Sequence, residues 1–331
     1  MLYKKGLPTD ELRHAEFMAA CSTGDVFTVN RLTADKVRKP VDPIASKICV
    51  DPEIITKYSI DTSVDVAETQ FVLDLVSLRD QALSSVTEDF PLGFLDLSWF
   101  LQSVEVDSRA TGQNFMADAT NWQNIQDGNL PLETITVSGK TPIITGRDLA
   151  TYVHDDDPME QWTRVAGTLL GLGLESKAPD CIMACEGSRF TCFGYPAIAG
   201  ILGNVLYRAG LVSFAGKWTH FVARPEEAAP ALGLGYLPQC YPEGSPEHPA
   251  RGAMHSFAAY SLSYVILQLF DNEYILPSGN TVKYEVELFR DNIGYGRVWA
   301  GVHYNKDHTE AKVRAEAIAQ KVLMGYDISI T

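Results

Sequence analysis

The chain has 331 residues, 46% of them hydrophobic, and a formal net charge of −15. That apolar share is ample for a large core, in one domain or two smaller ones, and is that of an ordinary soluble globular protein. So acidic a surface argues against nucleic acid and anionic membranes as partners, because both require basic patches.

The opening Met-Leu-Tyr-Lys-Lys-Gly-Leu-Pro has no apolar stretch of the kind a secretory leader carries, and localisation stays open. Residues 1–65, with prolines at 8, 40, 43 and 52, read as short helices and loops. From Val66 to Leu83 apolar residues recur with a helical period. Leu92 to Val104 is apolar and aromatic and predicts a helix; Asp107 to Thr141 is polar and predicts a loop. A helix start is expected over Thr145 to Tyr152, and buried helices over Trp162 to Leu174 and Tyr195 to Phe214.

Arg224 to Ala253 contains six prolines after Arg224, at 225, 230, 238, 242, 246 and 249, so it is not one helix but a long ordered connection. Ser256 to Phe270 resumes as a helix. Its apolar run from Phe257 is too short for a membrane span and reads as core. Thr281 to Leu288 alternates after Pro-Ser-Gly-Asn and predicts a small hairpin. Residues 300–324 read as a final helix. The expectation is a mainly α single domain over 1–331, with N-terminal helices and loops to residue 140 and a bundle carrying the functional site from 141 to 331. The six cysteines, at 21, 49, 181, 185, 192 and 240, have no histidines at zinc-finger spacing. They read as free or buried thiols, with a disulfide as the alternative.

Three segments carry chemistry. They are Lys217 to Arg224-Pro225, His248 to His255, and Arg297 to His303 to Asp307. An oxyanion needs several fixed positive donors. Arginine offers a planar fork to adjacent oxygens and lysine a compact charge, so Lys217, Arg224 and Arg297 suit it together. His255 is expected at a helix start after a glycine-containing turn, where free N–H groups and the dipole favour anions. The backbone N–H of Ala253 or Met254 is a candidate further donor. Taken singly, each of these residues is as well read as a surface charge or a core group; their joint spacing is what points to a site.

The three segments resemble the signature of the superfamily of vanadium haloperoxidases and type-2 phosphatidate phosphatases. That signature runs Lys-x6-Arg-Pro, then Pro-Ser-Gly-His, then Ser-Arg-x5-His-x3-Asp. The wider text is similar to algal and cyanobacterial bromoperoxidases at Gly146 to His154, Glu243 to Pro249 and Gly296 to Tyr304. The resemblance implies a helical-bundle fold around vanadate, with phosphate or another oxyanion able to take its place. It makes His303 the vanadium-linked histidine and gives the equatorial oxygens to Lys217, Arg224 and Arg297. It makes His255 the acid–base group and puts Met254 in the cofactor pocket. His248 falls where bromoperoxidases carry a second histidine, which favours bromide or iodide over chloride. Asp307 is expected behind His303, and Asp148 or Asp155 beside an arginine or histidine. Hydrogen peroxide, a halide and a small organic acceptor are the implied partners, in a homo-oligomer.

The chain departs from the signature at Ala253, Met254 and Gly296, which stand where many members carry Ser, Gly and Ser. Three readings stay open: a haloperoxidase, a phosphatase on the same scaffold, and a non-catalytic oxyanion binder.

Overall fold

The computed structural model describes residues 96–109, 113–154, 157–177, 194–220, 222–231, 235–326 and 328. The expected helix over Val66–Leu83 and all the cysteines but Cys240 lie outside them; Cys240 is a buried free thiol.

Helix starts follow side-chain chemistry. Helix α1 (Ala119–Gln126) begins where Asp118 accepts from the backbone N–H of Thr120 and Asn121. Helix α2 (Gly146–Tyr152) has a capping box built from Thr145 and Asp148. Helix α3 (Pro158–Gly171) follows Asp157 with Pro158 in its first turn. The long α4 (Tyr195–His220) and the short α5 (Pro225–Ala231) come next. After a loop come α6 (Met254–Leu269), α7 (Val282–Trp299), α8 (Asn305–Thr309) and α9 (Ala311–Met324).

Helix α6 is the hub, packing on α9, α7, α4 and α3. Its residues are buried nearly all round, including Leu262, Val265, Ile266 and Leu269. The serines that interrupt its apolar run stay inside because the helix satisfies them. Ser261 Oγ donates to Phe257 O at 2.7 Å, and Ser263 Oγ to Tyr260 O at 3.1 Å. Trp162 from α3, Leu202 and Val205 from α4, Phe289 from α7 and Leu323 from α9 complete the main core. Among the described residues one helix, over Tyr195–Lys217, is long and apolar enough to cross a membrane. It is α4, and it packs on α3, α6 and α9.

Four expectations are corrected. The predicted hairpin at 281–288 is the start of α7. Val282, Val286, Phe289 and Ile293 form its buried stripe, and Thr281 caps it by accepting from Tyr284 N at 3.2 Å. The apolar–polar alternation there fits both periods, and the helical one continues for eighteen residues. The antiparallel pair instead joins β1 (Glu105–Arg109) to β2 (Val137–Pro142). These strands, with α1 between them, occupy the segment expected to be loop; β1 buries Val106 alone, which leaves little hydrophobic signal. An Asp107–Lys140 ion pair of 2.6 Å links them across the ladder. Within 92–104 the described part forms only a 3₁₀ turn, Trp99–Leu101. Finally, the helix expected over 300–324 is broken: Gly301, at φ +82°, turns the chain between α7 and α8. That positive φ favours glycine, and a Cβ there would also press on the Gln239 amide, 2.9 Å from its Nε2.

Candidate functional site

The site forms where helix ends meet. Lys217 lies near the C-terminus of α4, Arg224 just before α5, and Arg297 in the last turn of α7. His303 follows the Gly301 turn, and Asp307 sits in α8. The loop from His248 to Ala253 runs between them into α6. Gly252 (φ +83°) lets this loop lie against α4. A Cβ there would meet Ser213 O at 2.8 Å and Lys217 Cγ at 3.7 Å, and Ser213 Oγ donates to Gly252 O.

Lys217, Arg224, Arg297, His303 and Asp307 are all buried. Lys217 Nζ donates to Pro249 O at 2.8 Å and Ala250 O at 3.2 Å, fixing the loop. Arg224 is the connector. Its Nη1 donates to Val302 O at 2.7 Å and to His303 Nε2 at 3.0 Å. Its Nε and Nη2 donate to His248 O and His248 Nδ1, both at 2.9 Å. Glu227 Oε2 accepts from Arg224 N at 3.0 Å, which seats the residue at the head of α5. Arg297 Nη1 donates to Val153 O at 3.1 Å.

These bonds fix the tautomers. Arginine only donates, so the nitrogens facing Arg224 are acceptors. His303 therefore keeps its proton on Nδ1, which donates to Asp307 Oδ2 at 3.0 Å, and holds its Nε2 lone pair toward Arg224. Asp307 Oδ2 also accepts from Tyr304 N at 3.1 Å. His248 Nδ1 faces both Arg224 Nη2 at 2.9 Å and Pro249 O at 3.4 Å, and the shorter contact, to a group that only donates, assigns Nδ1 as the acceptor and the proton to Nε2. Phe214 meets its ring edge to face at 5.2 Å.

Charge and burial reinforce this picture. Burial, then the cations of Arg224, Lys217 and Arg297, hold His303 well below its ordinary range. His248 is held down by burial, then by Lys217 and Arg224. Burial, then Arg297, pushes Arg224 down to about 9. Burial raises Asp307 to about 6, against the pull of the Tyr304 amide and of Lys217 and Arg224. Three buried cations thus act on the same two neutral imidazoles, and an anion among them would relieve their mutual repulsion.

The remaining expected residues lie close by or elsewhere. Met254 and His255 open α6. Ala253, in its N-cap position, makes no side-chain capping bond, so the first-turn amides lack that partner. The Met254 Cε atom would lie 3.3 Å from a Cβ at Gly210 of α4. Asp148 is a correction: its Oδ2 accepts from Ile144 N, Thr145 N and Thr145 Oγ1 at 3.1, 2.9 and 2.8 Å, closing the α2 cap rather than orienting an arginine or histidine. The Thr-x-x-Asp spacing is the signal that would have revealed it. Asp155 lies outside the described residues.

Sequence reasoning missed the wall of the site. A cavity of about 650 Å³ opens onto Arg297 and His248. His154 stacks on Tyr241 with ring centroids 3.2 Å apart, and the Arg109 guanidinium lies 3.8 Å from the Tyr241 centroid. His154 Nε2 pairs with Glu243 Oε1 at 3.0 Å.

No protein-family model matches the chain. The vanadium-dependent bromoperoxidase of Corallina officinalis is 31% identical over an alignment of 105 residues, covering 26% of this chain and 18% of that protein. That of Corallina pilulifera is 30% identical over 105 residues, with the same coverage. The match thus spans less than a fifth of the curated relatives' length. Among solved structures, the homohexameric second vanadate-dependent bromoperoxidase of Ascophyllum nodosum superposes with a TM-score of 0.60 at 16% identity. It covers 96% of this chain and 77% of that one.

Proposed function

We propose, from the vanadium haloperoxidase fold that this chain adopts, that it is a vanadium-dependent haloperoxidase acting on bromide or iodide. The overall reaction is X⁻ + H₂O₂ + H⁺ → HOX + H₂O, with HOX passing halogen to a small organic acceptor. The observation that carries the reading is His303, whose Nε2 lone pair is presented among buried cations by the Nδ1 bond to Asp307.

The residues fit vanadate. His303 Nε2 is the ligand for the metal, and Arg224, Arg297 and Lys217 are cations for its oxygens. Arg224, pushed down by its own burial, gains from an anion beside it. The uncapped first turn of α6 offers amides in place of the hydroxyl that Ala253 lacks. Bound vanadate supplies a Lewis-acidic centre that activates hydrogen peroxide toward halide. Lys217 would set its buried cation beside the bound oxyanion and so stabilise negative charge on its oxygens. His255, on the first turn of α6, moves the proton that balances the reaction. Asp307 holds His303 in its tautomer. His248, with its proton on Nε2, faces the cavity and favours bromide or iodide. A homo-oligomer, as in the Ascophyllum nodosum protein, is part of the proposal.

One observation favours a second reading. A histidine with a carboxylate on Nδ1 and its Nε2 lone pair among cations, here hydrogen-bonded by Arg224, also suits a nucleophile toward phosphate esters. Iodide and bromide oxidation, measured with and without vanadate in the wild type and in His303→Ala, tests the first reading. Vanadate-dependent turnover lost in the variant supports it. No turnover with either halide at saturating vanadate, together with hydrolysis of p-nitrophenyl phosphate, replaces it with the second. Neither activity leaves a non-catalytic oxyanion binder.

A further inference from the structure

The cavity beside the cation cluster is more than a route for peroxide and halide. It has a volume of about 650 Å³, well above what those small species need and within the range of sites for small organic molecules. Arg297 and His248 line it, as do Ala300 and Val302, the last of these adjacent in the chain to His303. Leu130 and Pro131 also line it, and Leu130 is 80% exposed. A leucine left that open to water in the lining of a cavity gains from an apolar occupant. Tyr241 is held between His154 and Arg109, and Glu243 fixes His154.

We propose that this cavity is the binding site of the organic acceptor, and that the acceptor is an uncharged, mainly apolar molecule of single-ring size. The proposal rests on the haloperoxidase reading for its chemistry but not for its binding. Held there, the acceptor lies beside the cation cluster where hypohalous acid is released. In R–H + HOX → R–X + H₂O a carbon–halogen bond replaces a carbon–hydrogen bond. The displaced proton leaves with the hydroxide of the hypohalous acid. Glu243, paired with His154, and Glu247 line the cavity against one guanidinium, Arg297, so its lining does not select a carboxylate-bearing acceptor.

The test begins with equilibrium binding to vanadium-free protein by calorimetry, using thymol as a neutral apolar ring and glucose as a neutral polar one. Thymol binds and glucose does not. Leu130→Asp weakens thymol binding about tenfold, the scale of one leucine's burial. Leu130 is so exposed that its substitution leaves folding intact, and a thermal melt of the variant verifies this. Absent thymol binding overturns the proposal, as does binding that Leu130→Asp leaves unchanged, which means the probe sits elsewhere. With vanadate, peroxide and bromide added, thymol bromination saturates, and Leu130→Asp raises its KM by about the same tenfold. If halide is oxidised but thymol bromination never saturates, the acceptor site is wrong and the haloperoxidase reading stands. If no halide is oxidised, that reading falls while the calorimetry still judges the cavity.

Discussion

His303 Nδ1 donates to Asp307 Oδ2 across 3.0 Å inside the protein, and the two groups are shifted by burial in opposite senses. His303 is held well below its ordinary range while Asp307 is raised to about 6. Their contributions to stability therefore oppose each other. An imidazole depressed in the folded state takes a proton only on unfolding, so its stability is lost as pH falls below about 6.5. A carboxyl raised in the folded state is stabilising below about 4, and that contribution is lost as pH rises through about 6. In Asp307→Asn the second contribution disappears. The vanadium-free variant is expected to lose stability between about pH 6 and 4 more steeply than wild type, by about 1.4 kcal/mol per pH unit. Urea denaturation across that range measures it, and parallel curves would contradict the assignment.

Arg224 holds two imidazoles and the Val302 carbonyl with one planar guanidinium. A lysine keeps the charge but cannot span those directions. Arg224→Lys is expected to lose about 2–3 kcal/mol of stability through unsatisfied buried acceptors. Its vanadate affinity should drop by about 10-fold or more. Chemical denaturation and vanadate titration read the two effects separately. A variant with wild-type stability would show that the His248 and Val302 bonds are dispensable.

Gly296 stands where the signature that the sequence resembles has serine, and the structure gives a packing reason for glycine. A Cβ there would lie 2.8 and 3.0 Å from the Val153 methyls and 3.3 Å from Leu149 O. Gly296→Ser forces α7 away from α2 and is expected to cost about 1–3 kcal/mol. A thermal melt checks this, and an unchanged midpoint would mean that Val153 yields freely.

The grouping of Lys217, Arg224 and Arg297 at helix ends was legible because their spacing is short-range. Lys217 and Arg224 bracket the α4–α5 junction, and Arg297, His303 and Asp307 bracket the Gly301 turn. The core helices were legible for a similar reason, since α3, α4 and α6 carry apolar runs whatever their surroundings. What escaped is long-range. The stacking of His154 on Tyr241 joins residues 87 apart in number, and no local pattern announces it. The β1–β2 pair escaped because its strands are largely polar and gain their register from each other. The start of α7 was misread because Val282, Tyr284, Val286 and Leu288 alternate over the same span in which 282, 286 and 289 follow a helical period.

Ala253 is the departure that most directly bears on activity. It is the N-cap residue of α6 at φ −54° and ψ 112°, and no side chain caps the helix there. Serine is among the best residues for that position, because its hydroxyl accepts from a first-turn amide. With an anion present the same hydroxyl can instead donate to it. Ala253→Ser is therefore expected to raise stability by about 0.5–2 kcal/mol in vanadium-free protein. It is also expected to tighten vanadate binding several-fold, on the scale of one hydrogen bond of about 0.5–1.5 kcal/mol. The two gains come apart in the measurement. Urea denaturation without vanadate reads the cap, and vanadate titration reads the oxyanion contact. Ala253 is buried, so a stability loss would mean that the hydroxyl has no room beside α4. A stability gain with no change in vanadate affinity would place the α6 N-terminus outside the oxyanion site, and His255 with it.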